Sequence, residues 1–78
     1  MTGIAYKVDN AGERLTENVK ACIENFNGLV YIASDYFSSI GGLKKGDLIH
    51  YSDDDISLNS TFEVVLIITK SHAEVRKI

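Results

Sequence analysis

Two histidines, one cysteine and a run of three aspartates are the residues that could do chemistry in this chain of 78. His50, His72 and Cys22 lie far apart in sequence, so no zinc site is composed by short ligand spacing. Asp53-x-Asp55-x-Ser57 has the oxygen spacing that opens a calcium loop. Leu58, however, stands where that loop needs glycine, and Val64 stands where it needs a bidentate carboxylate. A nucleophile, base and orienter would have to be drawn from isolated residues such as Ser34, His50 and Asp35, whose neighbours supply nothing to activate them. Gly41-Gly42 lacks the pattern of a phosphate loop. The reading is therefore a protein that binds without turnover and takes no metal or cofactor. Cys22 reads as an inert core thiol, with no basic residue beside it in sequence.

Charge narrows the partner. A formal net charge of -3 disfavours direct contact with nucleic acid, which needs clustered Lys and Arg. The longest apolar run, Val64 to Ile68, is far too short to span a bilayer, and no signal peptide is visible. A lone cysteine without disulfide partners fits a reducing, cytoplasmic setting. Asp35, Asp47, Asp53, Asp54 and Asp55 offer an acidic interface to a basic protein surface. Among the aromatics, Tyr36 with Phe37 is the best candidate for an exposed contact, because the pair falls in a loop-like stretch.

These side chains must be positioned by a single domain over 1–78, since no linker or repeat divides the chain. Ile4 to Val8 reads as a strand, and Asp9-Asn10-Ala11-Gly12 as a turn. Val19, Cys22, Ile23 and Phe26 fall at i, i+3, i+4 and i+7, which predicts a helix over 16–26. Thr16 would cap that helix at its start and Gly28 would end it. Leu29 to Ser34 and Leu48 to Tyr51 read as strands, and Ala73 to Ile78 as an edge strand. Thr61 to Lys70 carries two signals. Its β-branched residues favour a strand, whereas Ser60-Thr61-Phe62-Glu63 fits a capping box that starts a helix.

Three segments, in order, resemble the PDZ family. Gly3-Ile4-Ala5-Tyr6 is similar to its carboxylate-binding loop, Gly28-Leu29-Val30-Tyr31-Ile32 to its glycine-plus-strand segment, and Gly42-Leu43-Lys44-Lys45-Gly46-Asp47-Leu48-Ile49 to its Gly-Asp turn and strand. The helix expected after the first loop looks more like the PDZ domains of bacterial high-temperature-requirement proteases than like those of animal scaffolds. The resemblance implies an α+β domain, a partly open barrel or sandwich with two helices, that captures an extended peptide or protein C-terminus by strand addition. It implies a peptide site at Gly3, Ile4, Ala5, Tyr6, Lys7 and Val8. Val65 and Ile68 would help line its apolar pocket, and Thr61 would contact the peptide two residues before its end.

With 61–70 as a strand, the order becomes β-α-β-β-β, one helix packed on an antiparallel sheet. In size, charge and architecture such a chain resembles small phage or mobile-element inhibitors such as anti-CRISPR proteins. That likeness implies an acidic protein that blocks a nucleic-acid enzyme by protein–protein contact.

Overall fold

In the computed structural model, which describes residues 2–54 and 58–78, the chain is a closed antiparallel β-barrel. Six strands build it: β1 (Thr2–Val8), β2 (Val19–Phe26), β3 (Leu29–Ala33), β4 (Leu48–Asp53), β5 (Asn59–Thr69) and β6 (His72–Lys77). Around the barrel they run β1-β2-β3-β6-β5-β4, and β4 closes on β1. The α+β expectation, in both its PDZ-like and its helix-on-sheet form, is thereby overturned. The only helical element among the described residues is a single 3-10 turn, Phe37–Ile40.

The helix expected at 16–26 is instead β2. Val19, Ala21 and Ile23 alternate inward, so a period of two, not 3.6, sets its face. Its partner is fixed by Asn27 and Gly28, at φ 53° and 81°, which form the two-residue hairpin turn that joins β2 to β3. Gly28 thus turns a hairpin where a helix end was expected. Thr16 caps no helix; its Oγ1 accepts the Lys7 N–H at 3.0 Å and pins the 9–18 loop to β1.

The ambiguous segment is a strand. β-Branched residues win over the capping box because Glu63 reaches across to Arg76 (2.8 Å) and Ser60 pairs with Tyr51. β5 carries two bulges, between Val64 and Leu66 and between Ile67 and Thr69, which bend it around the barrel. The tail is no edge: β6 pairs with β3 on one side and β5 on the other.

One core fills the barrel, with Ile32, Ile49, Tyr51, Phe37 and Val64 its largest fully buried side chains. Phe37, expected to be an exposed loop aromatic, is fully buried, whereas its neighbour Tyr36 is exposed. Cys22 also departs from expectation: it points outward, half-buried, from β2.

Tyr51 gives the interior a pH dependence. Burial pushes its phenol above the ordinary value of 10.0, and the negative charge of Asp53, then of Cys22 and Asp54, adds to the shift. The folded chain therefore holds this proton more tightly than the unfolded chain. Its contribution is intact below pH 10 and is lost as pH rises beyond it, at up to about 1.4 kcal/mol per pH unit. Urea midpoints should fall more between pH 10 and 11 in the parent chain than in Tyr51→Phe. Parallel slopes would refute this account.

Candidate functional site

Strand alternation that sends Ile23, Ile32, Ala73 and Val75 inward must send their neighbours outward across β2, β3, β6 and β5. The register sets these outer residues in rows. Glu24 lies opposite Tyr31, Tyr31 opposite Glu74, and Glu74 opposite Leu66. Phe26 lies opposite Leu29 at the hairpin end, and the second β5 bulge brings Ile68 to the same face. Phe26 is 66% exposed and Leu66 55%, and Leu29 and Ile68 are exposed beside them. These large apolar side chains share one outer face of the closed sheet, with Glu74 between Tyr31 and Leu66, and are not scattered singly over the surface.

Within this face, Glu24, Phe26, Tyr31, Ile68 and His72 line a cleft of about 300 Å³. His72 meets Tyr31 edge-on, with ring centroids 5.7 Å apart at 63°. Among the described residues, Glu24 and Glu74 have no hydrogen-bond or ion-pair partner, whereas Glu63 is held by Arg76.

The expected peptide site is not assembled. Gly3 to Tyr6 is not a loop but part of β1, paired with β2 through Thr2–Ala5 and with β4 through Gly3–Val8. Beyond Ala5 the remaining edge is covered by the 9–18 loop: Leu15 N–H donates to the Lys7 carbonyl, and Val8 bridges to Arg14. An added strand has no vacant edge beside Tyr6-Lys7-Val8. Gly3, Ala5 and Val8 are buried, and Ile4 faces outward. Lys7 runs into the barrel end, where Nζ donates to the Gly42 carbonyl at 2.5 Å and pairs with Asp47 at 3.2 Å. Val65 is half-buried at the first β5 bulge. Ile68 joins Phe26 and Tyr31, away from the β1 residues it was expected to meet.

Tyr6 and Thr61 belong to a different outer cluster. The Tyr6 ring stacks on His50 (centroids 5.2 Å, 29°), and the Arg14 guanidinium lies 3.7 Å over the Tyr6 ring. Nδ1 of His50 is 3.2 Å from Thr61 Oγ1, and Nε2 is 2.6 Å from Asn59 Oδ1. Both ring nitrogens are thus engaged, and the cluster ties the 9–18 loop to β1, β4 and β5.

The acidic interface is also divided. Asp47 neutralises Lys7, and Asp53 is buried in the barrel. Asp35 and Asp54 are exposed and line one groove with Thr2, Cys22 and Tyr36, while Asp55 lies outside the described residues. The outer apolar face is hidden from the sequence because the helical spacing of Val19, Cys22, Ile23 and Phe26 puts Phe26 on a buried face. Its one legible signal was the Asn27-Gly28 turn, which makes Phe26 and Leu29 hairpin neighbours.

Among the described residues, no His, Cys, Asp and Glu side chains gather in threes as a metal site would require, and no helix is long and apolar enough to cross a membrane. Comparison with protein-family models, with curated proteins and with solved structures finds no match to this chain.

Proposed function

We propose that this chain is a non-catalytic protein-binding domain whose contact surface is the outer face of β2, β3, β6 and β5. The observation that carries the reading is the grouping of Phe26, Leu29, Leu66 and Ile68 around Tyr31 on the outside of a closed barrel. A partner that covers these side chains removes apolar area from water without any backbone rearrangement of the barrel. β1 has no free edge to accept a strand, which favours capture by side chains on the sheet face over strand addition at β1. Tyr31, at the centre of the group, is of a residue type enriched in binding hot spots.

Random peptides displayed on phage and selected on the immobilised chain provide the test. Binders should lose about tenfold or more in affinity for the Phe26→Ser, Leu66→Ser double variant, as expected when two anchors are removed. The double variant should keep the parent's circular dichroism, because both side chains are solvent-exposed. Selected peptides that bind parent and variant equally would place the contact surface elsewhere.

A further inference from the structure

Resting on that reading of the outer face, we propose that the cleft between Phe26 and Tyr31 is the seat for an arginine side chain of the partner protein. At about 300 Å³ it lies at the small end of ligand clefts, a space for one side chain. Its walls are the Phe26 and Tyr31 rings, Ile68 and the His72 ring, which meets Tyr31 edge-on, and its one carboxylate is Glu24.

Each alternative occupant meets a cost here. An apolar side chain would take Glu24 out of water with nothing to pair it. An anion would face Glu24, with Glu74 on the other side of Tyr31 in the same cross-strand row. A lysine ammonium answers the charge, but it is a compact, strongly hydrated group that cannot stack. A guanidinium answers the aromatic, the aliphatic and the acidic wall together. Its planar face lies on an aromatic ring, its alkyl stem lies along Ile68, and its fork of N–H groups donates to the Glu24 carboxylate. The chain already makes this contact once within itself, where Arg14 lies 3.7 Å over Tyr6. At Tyr31 the ring and carboxylates are present and no guanidinium of the chain occupies them: Arg14 is on Tyr6, and Arg76 is paired with Glu63.

The test uses the full chain, isotopically labelled, and the acetylated, amidated tripeptide leucine–arginine–leucine. Citrulline and lysine replace arginine in two control peptides; citrulline keeps the shape of arginine and removes its charge. The arginine peptide should shift the resonances of Phe26, Tyr31, Ile68 and His72. It should bind about fivefold more tightly than the citrulline peptide, the advantage of a cation on an aromatic ring beside a carboxylate. In the exposed Glu24→Gln variant that difference should vanish. Equal binding of the arginine and citrulline peptides on this face would overturn the arginine seat and leave the docking face standing. A lysine peptide as strong as the arginine peptide would overturn the guanidinium assignment. Shifts from no peptide on this face would overturn both the seat and the face.

Discussion

Phe37→Ala should destabilise the chain by about 3–5 kcal/mol, the range for truncating a fully buried phenylalanine. A domain of this length has a total stability of only about 4–12 kcal/mol, so the loss would remove roughly a quarter or more of it. Phe37 belongs to the core, yet it is carried by a single 3-10 turn in the long connection between β3 and β4. That turn is held from both sides. The Phe37 carbonyl accepts the Gly42 N–H at 2.8 Å, and the Phe37 N–H donates to the Ser34 carbonyl at 3.4 Å. Beyond it, Leu43 N–H donates to the Lys70 carbonyl at 2.9 Å, which fastens the connection to the β5–β6 turn. Because these bonds hold the backbone in place, the walls cannot collapse fully into the space left by the ring, and the cavity cost is retained. Tyr36→Ala is the control, since its neighbouring side chain is exposed. Urea denaturation followed by circular dichroism should show a much lower midpoint for Phe37→Ala and a nearly unchanged one for Tyr36→Ala. Similar midpoints for the two would mean that Phe37 does not anchor the connection.

The burial of Phe37 marks a limit of local reading. Strands at 4–8, 29–34 and 48–51 were legible because β-branched and aromatic residues gather there between turn signals, and all three recur in β1, β3 and β4. The turn after β1 was legible too. Asp9 accepts the N–H groups of Ala11 and Glu13, as a short carboxylate at a turn does. The failure at 16–26 has a specific cause. Val19 and Ile23 satisfy a helical spacing and an alternating one together, so apolar periodicity could not separate the two. The deciding information lay outside the segment, in Asn27-Gly28, whose positive φ angles serve a two-residue hairpin more specifically than a helix end. At 59–69, propensity and start signal disagreed, and pairing with β4 and β6 decided for the strand.

The site was less legible than the strands, because a surface is assembled by closure. Glu24, Tyr31, Glu74 and Leu66 are scattered over the chain and share a row only through three separate pairings. No spacing within one segment encodes that row. Carboxylates misled for the same reason. Asp47 and Asp53 look like their exposed neighbours in sequence, but one neutralises a lysine drawn into the barrel and the other is buried. Charge read as a count treats these groups alike, whereas topology divides them between interior and surface.

Gly3→Ala is the second change with a large expected effect, a loss of about 3 kcal/mol from overpacking. A Cβ at Gly3 would be driven against the Ser52 carbonyl oxygen and would stand 2.7 Å from the Asp53 Cα and 2.9 Å from the Ser52 carbonyl carbon. All three are backbone atoms of β4, so no side-chain rotation relieves the clash. Displacement of β1 would relieve it only by opening pairings, because Gly3 lies opposite Asp53 on one side and Ala21 on the other. The glycine is required for the close approach of two strands where the barrel closes, a need unlike that of a carboxylate-binding loop. For a domain of this size, about 3 kcal/mol lowers the melting temperature by roughly 12–24 °C. A thermal scan showing a drop of only about 4 °C or less would mean that β1 yields at its start and that closure on β4 is loose there. A drop in the expected range places Gly3 among the residues that determine whether the sheet closes. That closure holds β2, whose Thr2–Ala5 pairing partner is β1, and through β2 the hairpin that presents Phe26. The same substitution should therefore weaken peptide binding at the outer face without touching it.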